Sequence, residues 1–593
     1  MAYLQRSAFF EAIQRHDPNS TVVREQSSGK EHTYRSLLRD VYLAKENLLQ
    51  ITRKTEEDLA GERVAFLVEN GYNFVVLFLA ILATNAIAVP LPASAPVLGL
   101  KQIVQDSEAL ALLWSAHYAE RMGTQLLEDL DMTVIHKQVN FPAEDATGDL
   151  EIKLIDFPKA SSGGIMLFTS GTTARPKGVL LPVDTLIAQA QSLLMAWEYV
   201  PADHLLHVLP LHHIHGTVNA LLAPILAGPT VEFMFPFNVD QVWGRLAAPF
   251  LGAAGVSNST EGKNALDGKA QSAVPPITIF TAVPTIWARM LQAYSKMSLE
   301  TQEVSRRAVS LNYLRLNISG SAALPKSIQD GWTNLSGGNL LLERYGMTEI
   351  GMALSCGLDH TDRIDGSVGW PLPSVEVRLW ETDDFDGTGR LIENGEEIDA
   401  TSGKERQGEI QLRGPTVFKG YWNNPTATKQ EFTQNGWFKT GDIAIRRVVP
   451  GSGEGKSGPW ACGPAYFIQG RQSADIIKTG GEKVSALEIE RELLALPQVH
   501  ECAVVGLPSE AWGQKVTAIV VLSEEWTDRV KAWTLKDMRS ALRDRLIAYK
   551  IPQDLEIVDS IKRNAMGKIN KRELIPEIFG NLEKLRRRSM GCK

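Results

Sequence analysis

Between Val64 and Pro90 the chain offers a short apolar strand (Val64 to Val68), an almost wholly apolar helix (Gly71 to Ala83) and a second apolar strand (Ile87 to Pro90). Strands with no polar alternation must be covered on both faces, so this βαβ unit calls for a parallel sheet with helices on each side. The same alternation returns at Ala109–Ser115 and Thr133–His136. A doubly wound α/β architecture is therefore expected for about the first 370 residues. The apolar helix is too short to cross a bilayer and reads as a core helix. Residues 1–60 read as helical, polar and peripheral.

Further along, the pattern changes twice. From Val375 to Phe467 short alternating strands, such as Val375–Leu379 and Glu409–Arg413, predict a small antiparallel β subdomain closing the first lobe. After Gly470–Arg471, a helix over 486–495, strands at Ala503–Val505 and Thr517–Leu522, a helix near 534–547 and a strand at Leu555–Val558 predict a compact α+β unit. We expect a large N-terminal domain over 1–470, a hinge over 471–475 and a mobile C-terminal domain over 476–593. Two inserts interrupt the rhythm: a small, polar stretch at 251–272, expected as a surface loop, and Pro450 to Gly458, expected as a hairpin tip.

With 593 residues, 44% hydrophobic and 22% charged, the chain is of ordinary globular composition. Its formal net charge of −8 gives no reason to expect a nucleic-acid partner, so any anion site must be local. Cys356, Cys462, Cys502 and Cys592 lack metal or CxxC spacing, which suits a reducing compartment. The N-terminus has no apolar leader, and Glu11 and Asp17 come early for a mitochondrial presequence. The cytosol is the default expectation, with the mitochondrion as the alternative.

Several polar clusters punctuate these elements. After the apolar run Ile165–Phe168 comes Thr169-Ser170-Gly171-Thr172-Thr173-Ala174-Arg175-Pro176-Lys177-Gly178. Its hydroxyls, backbone N–H groups and lysine can converge on a phosphate chain, although Pro176 and the lack of a following Ser or Thr exclude a Walker A loop. A plain strand-to-helix turn is the alternative. His212, His213 and His215 precede an apolar helix. They could ligate zinc, edge a pocket or be satisfied in the core; the pocket is preferred for His213. Ser319 to Ala323, with Gly320, Ser321 and Ala322, allows a flat ring or ribose close to the backbone. Glu343 to Glu349 supplies an aromatic face in Tyr345, a phosphate donor in Thr348 and a carboxylate in Glu349 suited to Mg²⁺. Asp442, in Lys439-Thr440-Gly441-Asp442, can accept hydrogen bonds from both ribose hydroxyls.

The loop at 169–178, Arg344–Glu349, Thr440–Asp442, Gly470–Lys483 and Asn564–Lys571 occur in the order and spacing of the adenylate-forming superfamily, which this chain resembles over residues 60–575. Within it, Leu342 to Met352, Ser319–Leu324, Asp475–Gly481 and Asn564–Lys568 look most like malonyl-CoA synthetases. Ala174 departs from the usual glycine, which would strain the loop or slow turnover if its backbone needs φ > 0.

The resemblance implies two half-reactions: a carboxylate attacks ATP to give acyl-AMP and pyrophosphate, and coenzyme A then displaces AMP. It implies that Lys177 and the hydroxyls at 169–173 hold the β/γ-phosphates and that Glu349 holds Mg²⁺. Arg344, Gly346 and Arg471 fall within the nucleotide motifs, and Lys568 would bridge the carboxylate and the α-phosphate. The C-terminal domain would then turn about Gln472–Asp475, replacing Lys568 with the loop of Lys478, Gly480, Gly481 and Lys483. For the distal carboxylate of malonate the resemblance points to Arg289, on the helix bordering the acyl pocket, with Arg315 second; Trp287 and Met352 would shorten the pocket. Arg289 as a solvated helix residue is the alternative. A short- or medium-chain monocarboxylate ligase is the competing activity. No carrier-protein module follows Lys568, and a non-catalytic nucleotide-binding protein is the rival of another class.

Overall fold

The computed structural model describes residues 2–122, 134–139, 141, 150–156, 163–169, 176–251, 274–382, 388–480, 482–527, 533–563 and 568–580. Two large sheets form the body. In the first, strands Ile87–Pro90, Arg63–Leu67, Ala111–Trp114 and Ile135–Gln138 run parallel, as the apolar βαβ pattern requires. The helix Tyr72–Ala83 is buried almost throughout and packs into the main core. At the other edge Gly164–Thr169 pairs antiparallel with Lys177–Pro182, with Thr169 opposite Lys177. The phosphate-loop candidate therefore connects a β-hairpin and not a strand to a helix. Gly420–Tyr421 pairs antiparallel with the outer side of Lys177–Pro182, Tyr421 opposite Val179.

The second sheet runs Trp370–Pro371, Gly351–Ser355, Leu342–Met347, Leu316–Ser319, Ile279–Ala282, His204–His207, Thr230–Phe233, Thr21–Glu25 and Glu31–Thr33. Its last two strands correct the expectation that residues 1–60 are peripheral. Val22 and Val23 are fully buried, and Phe9, Phe10 and Tyr34 also enter the main core. The segment is helical in part, but its apolar residues complete the sheet edge.

Strands Glu376–Thr382, Gly389–Leu391, Gly408–Arg413, Phe438–Arg447 and Ala465–Arg471 make the antiparallel subdomain. The insert around Gly451–Gly458 joins its last two strands and is held by Asp362, whose carboxylate accepts from Gly453 N (3.0 Å) and Ser457 Oγ (2.7 Å). Beside a two-stranded sheet of Tyr3–Gln5 and Lys153–Ile155, a further sheet contains Ile476–Thr479, Glu482–Ser485, Val499–Ser509 and Gly513–Leu522, with Asp554–Ile557 parallel to the last of these. Helices Ala486–Leu494 and Leu535–Leu542 pack their apolar residues into a core of its own. The two strands at 476–485 were not foreseen, because Lys478 and Lys483 break their apolar pattern. The insert at 252–273 and Cys592 lie outside the described residues.

Candidate active site

The C-terminal ends of parallel strands, where a sheet leaves its last carbonyl groups open, are the usual binding edge of such folds. Leu316–Ser319 and Leu342–Met347 end there side by side, with Ser319 paired to Glu343. Gly320 follows, and a Cβ on it would come within 2.4 Å of the Arg344 guanidinium. The missing side chain thus makes room for Arg344 itself. Ser321 takes φ = 71°, and its hydroxyl lies 3.3 Å from His215 Nδ1 and 3.4 Å from Arg344 Nη2. Ala322 is exposed beside it.

After Tyr345 the strand turns sharply into Gly351–Ser355, and Gly346 permits this because a Cβ there would meet Gly351 O at 2.1 Å. Thr348 and Glu349 stand in that turn, and Phe418 N donates to Glu349 O at 2.7 Å. Met352 is buried just beyond. Tyr345 reaches across to the antiparallel subdomain, donating its hydroxyl to Asp442 Oδ2 at 2.5 Å. The other carboxylate oxygen, Oδ1, faces Arg471 Nε at 3.0 Å. Asp442 and Arg471 are neighbours in the ladder, so the last strand before the C-terminal sheet fixes this pair.

Tyr421 was missed by the sequence reading. Its hydroxyl donates to Glu349 Oε1 at 3.0 Å while its ring lies beneath Lys177 Nζ, 4.7 Å from the centroid. It therefore joins the hairpin of the phosphate loop to the Glu349 turn. Only its place in Gly420-Tyr421-Trp422, an aromatic pair beside a glycine, hinted at a role, and spacing could not tell which residues it meets. Thr169 and Lys177 border the loop, while Ser170, Gly171, Thr172, Thr173 and Ala174 lie outside the described residues, as does Gly481.

Electrostatics mark this place out. Burial raises the pKa of Glu349 and of Asp442, and it pushes Arg344 down to about 9. Lys568 retains solvent contact, yet its ammonium is pushed below the ordinary lysine value, first by desolvation and then by Arg471 and Arg344, against the pull of Asp442 and Glu349. Desolvation holds His213 down to about 4, and the charge of Lys568 adds to that effect. His213, Arg344, Glu349, Asp442, Arg471 and Lys568 thus share one electrostatic environment. Glu349 fits Mg²⁺: a half-buried carboxylate gains from an adjacent hard cation, and Mg²⁺ commonly takes one or two carboxylates plus phosphate oxygens.

Zinc does not fit the histidines. His215 is buried with Nε2 2.6 Å from Thr281 Oγ1 and Nδ1 turned to Ser321. Among the described residues no group of three or more His, Cys, Asp or Glu side chains is arranged to hold a metal. Arg315 also needs correction as an acyl-site residue. It precedes Leu316–Ser319 at the opposite end of that strand, roughly 13 Å from Ser319 at about 3.3 Å per residue. There its guanidinium clasps Asp203 (Nε to Oδ1 2.7 Å, Nη2 to Oδ2 2.5 Å) and donates to the carbonyl of Glu198 at 2.9 Å. Trp287 is fully buried among Phe280 and Trp332, in the core behind the helix Pro284–Ser295. Arg289, on the same helix, is exposed and lies over Phe237, 4.9 Å from the ring centroid. Lys478, Gly480 and Lys483 sit on the hairpin of the C-terminal sheet, where Gly480 N donates to Trp512 O at 2.9 Å and φ is 58°.

The profile of the family described as AMP-binding enzyme matches residues 9–248 and 260–422, and that of the AMP-binding enzyme C-terminal domain matches 488–568. A protein described as a CoA ligase from Gibberella moniliformis is 62% identical, covering 100% of this chain and 98% of its own length. The mitochondrial malonate–CoA ligase ACSF3 of Homo sapiens is 38% identical over 92% of this chain and 88% of that protein. The crystal structure of ATP-bound MatB from Rhodopseudomonas palustris superposes with a TM-score of 0.74 at 26% identity, covering 97% of this chain and 99% of that one.

Proposed function

The chain belongs to the AMP-binding enzyme family, and from that premise we propose that it is an ATP-dependent malonate–CoA ligase. The observation that carries the reading is the cluster of Tyr345, Asp442 and Arg471, joined by hydrogen bond and ion pair, within whose electrostatic reach Lys568, from a segment far along the chain, also lies. In the first half-reaction a carboxylate oxygen attacks the α-phosphorus of ATP, forming the acyl–phosphate bond as pyrophosphate leaves. In the second, the thiol sulfur of coenzyme A attacks the acyl carbonyl, losing its proton, and AMP departs with the bonding electrons.

Neither step needs an enzyme nucleophile; positioning and charge compensation carry phosphoryl chemistry of this kind. In the proposed arrangement Asp442 accepts from the ribose hydroxyls, oriented by Tyr345 and Arg471. Lys177, Thr169, Ser170, Gly171, Thr172 and Thr173 hold the β/γ-phosphates, with Thr348 donating nearby. Glu349 would hold Mg²⁺, which supplies charge neutralisation along the phosphates when bound. Gly320, Ser321 and Ala322 border the adenosine and keep Arg344 in place, and Gly346 shapes the turn. Lys568 lies between carboxylate and α-phosphate, beside neutral His213. Lys478, Gly480, Gly481 and Lys483 serve the thioester step. Arg289 receives the distal carboxylate of malonate from its exposed place over Phe237, and Met352 would shorten the acyl pocket.

CoA-dependent AMP formation measured with malonate, methylmalonate, acetate and octanoate tests the proposal. Malonate should be used best, and Arg289→Ala should raise the malonate KM at least tenfold while shifting the ATP KM less than twofold. Preference for acetate or octanoate, or malonate kinetics untouched in that variant, overturns the substrate assignment.

A further inference from the structure

Glu343 is a buried carboxyl that the reaction does not use. It is 8% exposed and stands immediately before Arg344 and Tyr345 on the strand Leu342–Met347. Its carboxylate accepts backbone hydrogen bonds from Leu324 and Gly366, and burial pushes it up to about 8. The charge that pulls against that burial comes from Arg491, a residue of the C-terminal unit. Arg491 lies on the helix Ala486–Leu494, the first helix after the segment Gln472–Asp475. Its guanidinium forms an ion pair with Asp365 and fills the space above Gly366, where a Cβ would come within 1.5 Å of Nη1. Gly366 also takes φ = 72°, so the notch needs glycine for conformation as well as for room. Lys326, on the body, approaches the same Asp365 oxygen at 3.5 Å.

We propose that Arg491, seated on Asp365 and in the Gly366 notch against Glu343, is a positioning residue that holds the C-terminal domain in the orientation that serves adenylation. The inference rests on the ligase reading above. The contact joins two units that the second half-reaction requires to separate, so it exists in one orientation and must break in the other. A contact present in one of two states shifts their populations by its differential free energy. It acts on the chemistry only through Lys568, which the same unit carries. Glu343, on the strand of Arg344 and Tyr345, accepts from Gly366 N beside the same guanidinium, so the body's strand and the lid's orientation are linked through the Gly366 notch.

The test separates the half-reactions in the full-length enzyme. Carboxylate-dependent ATP–pyrophosphate exchange reports the first, and CoA thioester formation from a supplied acyl-adenylate reports the second. Arg491→Met and Gly366→Ala should each slow exchange about tenfold and leave transfer from the adenylate unchanged or faster. Arg491→Lys, which restores a cation, should recover part of the exchange. Dyes on Glu300→Cys and Glu556→Cys, in a Cys462→Ser, Cys592→Ser background, should show with ATP bound that Arg491→Met moves the domain out of the orientation held by the parent. Equal loss in both half-reactions, no loss in either, or an unchanged dye distance overturns the proposal. A parent enzyme that exchanges pyrophosphate with no carboxylate would instead overturn the ligase reading, and the dye distance would still decide the role of Arg491.

Discussion

The imidazoles of the 207–215 segment are uncharged in the folded protein at neutral pH. Desolvation holds His207 at about 4, His212 at about 3 and His213 at about 4, and drives His215 well below the usual value. In the unfolded chain each titrates near 6.5. As pH falls below that value the unfolded state therefore takes up protons that the native state refuses, and stability drops. Glu343 opposes this with one proton, because its native pKa of about 8 keeps it protonated where the unfolded carboxyl, at roughly 4.5, is ionised. The four histidines less Glu343 leave about three protons near pH 5, or about 4 kcal/mol per pH unit as an upper bound that the raised Glu349 and Asp442 reduce further. The urea midpoint of the first unfolding transition should accordingly fall steeply between pH 6.5 and 5, and His207→Gln should reduce that slope. A midpoint flat over this range would show that these histidines are charged in the native state. The sequence pointed to His213 as a pocket residue. It could not show that His215 would be tied to Thr281 and Ser321, since those partners lie 66 and 106 residues away.

At the scale of elements, the short connection after Leu316–Ser319 carries more constraint than its small residues suggest. Small side chains there were read as room for a ligand, whereas Gly320 makes room for the Arg344 guanidinium in the next strand. Gly320→Ala must push that buried guanidinium aside, and with it the hydrogen bond from Arg344 Nη2 to Ser321 Oγ. Moving one charged group in a buried site is worth on the order of 1.4 kcal/mol or more, a tenfold effect on binding. Gly320→Ala should raise the ATP KM about tenfold and leave the malonate KM within twofold; equal effects on both would mean a general collapse of the edge. Parallel strands, the core helix and the antiparallel subdomain were legible because burial writes a periodic apolar pattern into the chain. The apolar helix after the histidines was legible too, but its π winding over His215–Leu222 and the αL turn at Ser321 were not, because each answers to packing around a site and leaves no repeating signal. Arg315 shows the opposite limit: nearness in sequence to Ser319 concealed that a strand carries its first and last residues to opposite edges of a sheet.

For the whole molecule, order and spacing of motifs revealed which segments belong together, and the fold shows by what route they meet. Ile476–Thr479 follows directly on Ala465–Arg471, and Asp475 between them ties the crossing down: its carboxylate accepts from Arg471 N at 3.1 Å and from Lys571 Nζ at 2.6 Å. Lys571 also pairs with Glu490 at 2.7 Å, so the stretch bearing Lys568 is anchored three residues later to the crossing itself. A second link, Lys404 Nζ to Glu482 at 2.7 Å, joins the antiparallel subdomain to the Lys478–Lys483 hairpin. Lys568 lies within the electrostatic reach of Arg344, Asp442 and Glu349. In the proposed chemistry the lysine compensates charge only while the acyl–phosphate bond forms. Removing one such preorganised donor costs on the order of 10²-fold to 10³-fold in comparable sites. Lys568→Ala should therefore lower malonate-dependent pyrophosphate exchange by about that factor and leave thioester formation from supplied acyl-adenylate within threefold of the parent. The protein should also keep its unfolding midpoint, since the anchoring pairs of Lys571 are untouched. If transfer from the adenylate fell as far as exchange, Lys568 would be serving both orientations, and a rotation that exchanges it for the 478–483 loop would have to be abandoned.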